Sequence, residues 1–421
     1  MMSILSLALK SLKNRKTTAL LTIFSIAVSV ALLLGVERIR VEAKNSFTNT
    51  VAGTDLIVGA RSSSMNLLLY SVFHIGNATN NITWETYQDL TSDPNVAWSV
   101  PISLGDSHHG YRVVGTTHGM FNHFRYGDDE SLQLSKGRPF NTLYDAVLGS
   151  EVAARLGYKV GDDIILSHGV ESKSLLPHDD KPFTVSGILK PTGTPTDRVI
   201  MISLEGMEAL HIDWVNGAPP IAAFSVSAEE AEAMDLQPAS VTAYFVGLKS
   251  RIAAFRYQRK VNEYRQEAMT AILPGVALQE LWQLVGTAEK ALLAVSVMVV
   301  LAGLMGMLTT ILTSLNERRR EMAILRSVGA RPVHIFTLMI TESVVYAVAG
   351  TLLGFLMLYG LLLALQPVVQ QILGLHLAIS APGTFEWSLA GMIIICATIL
   401  GMIPAWRAYK NSLADGLTVR V

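Results

Sequence analysis

The stretch NERRREMAILRSVGARPVH, from Asn316 to His334, is a short charged island between two long apolar runs. It holds the arginines Arg318, Arg319, Arg320, Arg326 and Arg331. From Glu317 to Val328 there is no Pro or Gly, and most residues are good helix formers. Gly329 suits the left-handed position that ends a helix, and Pro332 prevents its continuation. We therefore predict a cytoplasmic helix and turn that join two transmembrane helices.

The predicted helix has two unlike faces. At about 100° per residue, Arg319 and Arg326 share one side and the apolar residues fall on a broad opposite arc. Those apolar residues are Met322, Ile324, Leu325 and Val328. Glu317 and Glu321 lie in the first turns, where the helix dipole favours negative charge. Such a helix lies at the membrane surface with an apolar arc to bury. The alternative is a basic loop that only fixes topology.

The composition indicates a membrane protein with a large soluble part. Of its 421 residues, 50% are hydrophobic and 16% are charged, and the mean hydropathy is +0.38. These values are too apolar for one soluble domain and too polar for a chain made only of membrane helices. The net charge of -1 implies no general attraction to nucleic acid, and the single Cys396 excludes an intrachain disulfide.

Four apolar runs are about long enough to cross a hydrocarbon core of about 30 Å. They are Thr17–Val36, Ala291–Leu315, Ile335–Leu365 and Trp387–Trp406. Lys and Arg are dense before the first run, in the island and after the last run, whereas Gln366–Glu386 has none. This asymmetry predicts that both termini are cytoplasmic. A cleaved signal peptide is the alternative for the first run, but that run is longer than a usual signal core.

We predict a membrane α-helical protein with four transmembrane helices and a large α+β extracytoplasmic domain inserted between helices 1 and 2. Residues 1–36 hold the cytoplasmic N-terminus and the first helix, and residues 37–289 form the outer domain. Residues 290–421 hold the other three helices, the cytoplasmic helix at 316–331 and the tail. The outer domain mixes β-like runs with helical patches, which is typical of α+β domains. Examples are the β-like runs Phe183–Ile188 and Val199–Ile202 and the helical patch Lys249–Ala271.

Three residues of the third apolar run, Glu342, Gly350 and Gly354, bear on how this helix packs against other helices. Glu342 is costly in a membrane unless it is paired or faces an interior; the alternative is a position still at headgroup depth. Gly350 and Gly354 let another helix approach closely, although such pairs are common in apolar helices.

Several stretches together resemble the MacB/LolC-LolE/FtsX family of ABC-transporter permeases. The most specific is ERRREMAILRSVGA at Glu317–Ala330, followed by Glu342 and the Gly350/Gly354 pair, and IPAWRAYKNSLADGL at Ile403–Leu417 is similar to the family's closing segment. The outer domain resembles the family's periplasmic core in three stretches. These are GTDLIVGA at Gly53–Ala60, VLGSEVAARLGYKVGDDIIL at Val147–Leu166 and FTVSGILKPTGTPTDRVIMISL at Phe183–Leu204.

The resemblance implies a multi-pass protein of the bacterial inner membrane, with Glu317–Ala330 as the coupling helix on a separate ABC-type ATPase. It implies two ATPase chains and a second permease chain, either identical or homologous, with ATP and Mg bound by the ATPase and no cofactor in this chain. Closing of the ATPases would move the outer domain, a process called mechanotransmission. The coupling residues would be Glu317, Arg318, Arg319, Arg320, Glu321, Met322, Ile324, Leu325, Arg326 and Gly329.

The sequence gives no sign of an enzyme. It contains no G-x-x-x-x-G-K-[ST] phosphate loop, no H-E-x-x-H zinc motif and no G-x-S-x-G nucleophile motif. ATP hydrolysis is therefore expected in a partner subunit.

Nine of the ten histidines fall in the predicted outer segments. Asp106, His108 and His109 form one group, and a second contains His168, His178, Asp179 and Asp180. Imidazoles and carboxylates suit zinc or a similar divalent ion. The spacing matches no closed structural site, so solvent-exposed polar loops are the alternative, and no metal site is assigned.

Three functions remain open. The first is a permease subunit that couples ATP hydrolysis to export or extraction of a substrate at the periplasmic side. The second is an FtsX-like regulator that switches an extracytoplasmic partner such as a cell-wall hydrolase. The third, suggested by the histidines, is zinc- or metal-linked transport.

Overall fold

The computed structural model describes residues 8, 10–11, 15–48, 50, 52–127, 129–169, 178–214, 225–317, 319–373 and 381–414. Within these ranges the side chains of residues 42–48, 285, 316, 317, 319, 320, 367–373 and 411–414 are not described. The chain divides into two compact units, a helical unit formed by residues 1–42, 286–372 and 376–421 and a sheet unit formed by residues 43–285 and 373–375. The sequence had placed the corresponding boundaries at 36/37 and 289/290.

The helices are α1 Lys16–Thr48, α2 Ser64–Val72, α3 Trp84–Thr91, α4 Gly119–His123, α5 Ser150–Leu156, α6 Leu204–His211, α7 Ala228–Glu232, α8 Ala254–Asn262, α9 Pro274–Glu317, α10 Arg319–Ser327, α11 Pro332–Leu373 and α12 Thr384–Ala414. The strands are β1 Leu56–Ala60, β2 Ile82–Thr83, β3 Val96–His108, β4 Tyr111–Thr116, β5 Arg125–Tyr126, β6 Glu130–Ser131, β7 Leu134–Gly137, β8 Asp145–Leu148, β9 Asp163–Ile164, β10 Ser167–His168, β11 Phe183–Leu189, β12 Val199–Ser203, β13 Ser240–Val241, β14 Ala243–Leu248 and β15 Met269–Ile272.

The helical unit contains four segments that are long and apolar enough to cross a membrane. They are Lys16–Val41, Gly286–Leu315, Pro332–Gln366 and Thr384–Lys410, and they overlap the four runs predicted from the sequence. Each segment buries only part of its surface against the others, and large apolar side chains face outward, as expected of helices in lipid. One apolar core joins all four segments, with Ile26, Met307, Met339 and Ala397 among its buried members.

An eleven-stranded mixed sheet organises the sheet unit. Its main order is β15-β1-β14-β3-β4-β12-β8-β11-β7, with β10 paired to β3 and β9 paired to β11. Two pairs are parallel, β12 with β4 and β11 with β8, and the other pairs are antiparallel. Alternate residues enter different apolar cores: Ile57 is in one, and its neighbours Leu56 and Val58 are in another. The sheet is therefore buried on both faces in its central strands.

The prediction of a helical patch over Lys249–Ala271 is wrong in its second half. α8 ends at Asn262, and the chain returns to the sheet as β15, which pairs antiparallel with β1. The side chain of Asn262 accepts a hydrogen bond of 2.8 Å from the backbone N–H of Ala271, linking the helix end to the strand. The partner of β15 lies about two hundred residues earlier, so local periodicity carries no signal of this pairing.

Candidate functional site

α10, within the charged island, ends in a Schellman motif. Gly329 has φ +98°, a backbone conformation that residues other than glycine rarely adopt. The N–H of Ala330 donates to the carbonyl of Leu325 at 3.0 Å, and the N–H of Gly329 donates to that of Arg326 at 2.9 Å. These bonds satisfy two carbonyls at the helix end, and α11 begins at Pro332.

The apolar arc of α10 is divided between two environments. Met322 and Leu325 are half-buried and pack against the core of the helical unit. Ile324 is 57% exposed and Val328 is 83% exposed. Ile324 and Val328, four positions apart, are therefore the exposed apolar pair of this segment. The coupling role of Met322, Ile324 and Leu325 stays a prediction.

The described charged side chains of the island are Glu321, Arg326 and Arg331. A guanidinium nitrogen of Arg15 lies 4.0 Å from a carboxylate oxygen of Glu321, and another donates to the carbonyl of Ser314 at 3.3 Å. Arg326 is half-buried. Arg318 lies outside the described residues, as do the side chains of Glu317, Arg319 and Arg320, so their coupling role stays a prediction.

Glu342 and the two glycines lie inside the helical unit. Glu342 is only 3% exposed, so its side chain faces the protein interior of this unit. A methyl group on Gly350 would lie 2.6 Å from Cγ2 of Ile26, and one on Gly354 would lie 2.8 Å from Cβ of Val30. α11 therefore packs closely on α1 at both positions, as small residues permit.

Four polar side chains from separate segments of the sheet unit meet at one point. Asp106 lies on β3, and His168 lies directly opposite it on the neighbouring strand β10. His178 precedes β11, and His211 is the last residue of α6. The ligand atoms of these four residues all lie within 4.8 Å of one another. We call this group the histidine cluster.

Asp106 is the centre of the histidine cluster. Its Oδ1 lies 3.2 Å from Nδ1 of His168, 3.4 Å from Nε2 of His211 and 3.9 Å from Nε2 of His178. Burial would raise the pKa of the Asp106 carboxyl, but the three imidazoles hold it well below its usual range. Burial would also lower the pKa of His211, but the Asp106 carboxylate raises it above its ordinary value. The site therefore keeps a buried carboxylate ionised.

Local structure fixes the orientation of His211. α6 follows β12 directly, and the hydroxyl of Ser203 accepts a 2.9 Å hydrogen bond from the N–H of Gly206 to cap its first turn. In the last turn, Nδ1 of His211 lies 3.1 Å from the carbonyl of Met207. A carbonyl can only accept, so Nδ1 carries the proton and Nε2 of a neutral His211 presents its lone pair to the cluster.

Trp214 covers the histidine cluster. Its indole lies 4.9 Å, centroid to centroid, from the rings of His168 and His178, and 5.5 Å from that of His211. These apolar contacts limit the water around the imidazoles.

The sequence grouped Asp106 with His108 and His109, and the structure separates them. Nδ1 of His108 lies 2.6 Å from the carbonyl of Ile165 and Nε2 lies 2.9 Å from the hydroxyl of Tyr158. His109 has φ 49° and, with Gly110 at φ 83°, forms the tight turn between β3 and β4. Of the second sequence group, His168 and His178 do join Asp106, whereas Asp180 lies 3.2 Å from the ammonium of Lys181.

Sequence reasoning missed His211. It lies more than a hundred residues after Asp106. A histidine at the end of a helix carries no sequence signal of metal binding. Only the packing of α6 against the sheet places His211 beside Asp106.

Two family models match the sequence. The model of the MacB-like periplasmic core domain matches residues 19–244, and the model of the FtsX-like permease C-terminal region matches residues 293–413. None of the curated proteins matches the chain in sequence.

Two solved structures are similar to parts of the chain. The extracellular domain of the noncanonic ABC-type transporter YknZ from Gram-positive bacteria is 14% identical, with a TM-score of 0.29, covering 52% of this chain and 99% of that one. The periplasmic region of MacB from Actinobacillus actinomycetemcomitans is 11% identical, with a TM-score of 0.33, covering 55% of this chain and 94% of that one.

Proposed function

The chain belongs to the MacB/FtsX family of ABC-transporter permeases, a multi-pass protein of the bacterial inner membrane, and from that premise we propose that it couples ATP hydrolysis by a separate ATPase to motion of its outer domain. Permeases of this family in general work with an ABC-type ATPase and as dimers. The partners here would be two ATPase subunits, which bind ATP and Mg, and a second permease chain.

The exposed apolar pair at the end of α10 carries this proposal. Ile324 lies on the nine-residue helix α10 and Val328 in the turn directly after it, between two segments long enough to span a membrane, and exposed apolar side chains at such a place support an interaction surface. An ATPase groove that covers both side chains would remove them from water. Arg326 on the same helix supplies charge for acidic groups around that groove.

The proposed topology follows the positive charges. Both termini and α10 would be cytoplasmic, and the sheet unit would lie outside the membrane. α9 is one helix of 44 residues, roughly 65 Å long at 1.5 Å per residue, and would act as a lever. Movement of its cytoplasmic end by the ATPase would then reach the outer domain without substrate crossing the bilayer.

The test is a detergent pull-down of the full-length chain, with mass spectrometry of the recovered proteins and an assay of their ATPase activity. We expect the wild type to recover an ABC-type ATPase. The variant Ile324→Asp/Val328→Asp should lose it because two charges would enter the groove, whereas Ile324→Leu/Val328→Leu, the matched control, keeps the apolar surface and should retain it.

Two results would overturn the coupling proposal. One is an intact wild type that recovers no ATPase. The other is an aspartate variant that keeps wild-type ATPase activity in the complex. Recovery of a cell-wall hydrolase with the ATPase would favour the regulatory function over cargo handling.

A further inference from the structure

We propose that Asp106, His168, His178 and His211 bind one divalent transition-metal ion of the zinc class in the sheet unit. This inference goes beyond the proposed function, because no step of ATPase coupling requires a metal in this chain. Three imidazoles and one carboxylate form a ligand set that zinc commonly accepts.

The spacing of the ligand atoms fits a tetrahedral site. Zinc bonds to imidazole nitrogen and carboxylate oxygen at about 2.0–2.2 Å, so neighbouring ligands in a tetrahedron lie about 3.3–3.6 Å apart. Oδ1 of Asp106 lies 3.2 Å from His168 and 3.4 Å from His211, and the nitrogens of those two histidines lie 3.2 Å apart. His178 lies 3.9 Å from the same oxygen, and the four ligand atoms lie within 4.8 Å of one another, so His178 must move closer to complete the set.

Hydrogen bonding alone accounts poorly for this convergence. Both carboxylate oxygens of Asp106 and Nε2 of His178 are buried without a hydrogen bond of acceptable geometry to any described residue. The bond of Nδ1 to the carbonyl of Met207 leaves Nε2 of His211 facing the cluster, where its nearest described partner besides Asp106 is Nδ1 of His168, at a hydrogen-bonding distance of 3.2 Å. A cation at the centre would bind one Asp106 oxygen together with Nε2 of His178 and the other two imidazoles, whereas leaving buried polar atoms unpaired is costly.

The cluster is buried on one side and open on the other. The side chains of Asp106 and His178 are 0% and 2% exposed, whereas those of His211 and His168 are 27% and 40% exposed. The protein therefore holds Asp106 and His178 in the interior, and among the described residues His168 is the most exposed of the four ligands.

A site without metal, in which a protonated imidazole pairs with Asp106, is the competing explanation. The two explanations differ in a direct measurement, the metal content of the protein. The full-length chain is purified in detergent without a polyhistidine tag, stripped with a chelator and titrated with zinc chloride by calorimetry. Mass spectrometry of the reloaded protein then gives zinc per chain.

We expect the wild type to bind one zinc ion per chain at micromolar concentration or below. His168→Gln alters the most exposed ligand and should preserve the fold, yet it should weaken zinc binding at least about tenfold. Asp106→Asn should weaken it further. His108→Gln is the matched control, since His108 neighbours the cluster on β3 and lies outside it; zinc binding should stay at the wild-type level.

The proposal is overturned if the folded wild type binds no zinc at these concentrations, or if His168→Gln and Asp106→Asn bind zinc as the wild type does. Circular dichroism of each variant without metal separates loss of binding from loss of folding. The measurement needs no ATPase, so its failure would leave the coupling proposal untouched, and failure of the pull-down would leave the metal site untouched.

Discussion

Replacing Gly354 by alanine would place a methyl group where α11 packs against α1. The new carbon would lie 2.8 Å from Cβ of Val30 and 2.9 Å from the backbone oxygen of Ala27. Carbon atoms in favourable contact lie about 3.5–4.0 Å apart, so the groups must separate by roughly 1 Å. A backbone oxygen cannot rotate away as a side chain can, and the two helices themselves must move.

This overpacking should cost about 1–3 kcal/mol of unfolding free energy. Gly360→Ala is the matched control, because it lies on the same helix and a methyl group there meets nothing within 4 Å. Alanine is favoured over glycine in a helix by about 1 kcal/mol, so the control should be as stable as the wild type or more stable. Because this gain applies to both alanine variants, they should differ by the overpacking cost of about 1–3 kcal/mol.

The assay is denaturant unfolding of the full-length chain in detergent, followed by circular dichroism. Val30→Ala, which removes a methyl carbon 2.9 Å from the new group, should cost less in the Gly354→Ala background than in the wild type. Equal stability of Gly354→Ala and Gly360→Ala would refute the close packing of α11 on α1.

Three further predictions concern other parts of the chain. Burial, helped by the positive charge of Arg112, lowers the pKa of His74 to about 4, so between pH 6.5 and 4 the unfolded chain binds a proton that the folded chain does not. The free energy of unfolding should therefore fall by up to about 3 kcal/mol as the pH drops through this window. His74→Asn removes the titrating group, and asparagine tolerates the φ of 56° at this position, so the variant should show a smaller fall in unfolding curves taken at several pH values. Gly329→Ala, at φ +98°, should cost about 1–2 kcal/mol in the same unfolding assay, and no loss would contradict the Schellman turn. Lys181→Met should cost about 3–5 kcal/mol of unfolding free energy, because it removes the ammonium group 3.2 Å from the buried carboxylate of Asp213. Adding Asp213→Leu should recover part of the loss. A Lys181→Met variant as stable as the wild type would contradict the buried ion pair.

Local signals were enough to predict the helical unit. Apolar runs long enough to cross a membrane, with charge dense on one side, need no tertiary information to be recognised. The left-handed end of α10 at Gly329 is equally local, because only glycine adopts that conformation at little cost. The division of the apolar arc of α10 was not predictable, since Met322 and Leu325 find partners on other helices.

The histidine cluster depends on long-range packing, which the sequence does not display. Because they are close in sequence, His108 and His109 were grouped with Asp106. In the structure His108 lies within hydrogen-bonding distance of Tyr158 and Ile165, and His109 forms a turn. His168 reaches Asp106 through strand pairing. His211 does so through the packing of α6, where Met207 lies against Gly115 of β4.

The indole over the histidine cluster gives the protein an optical reporter of its own. Trp214 lies within 5.5 Å of three imidazoles, so a change in charge or occupancy beneath it alters the field that one indole experiences. Its fluorescence should respond to events in the cluster with no added label. Replacing it by phenylalanine would assign that response to one position among the six tryptophans of the chain.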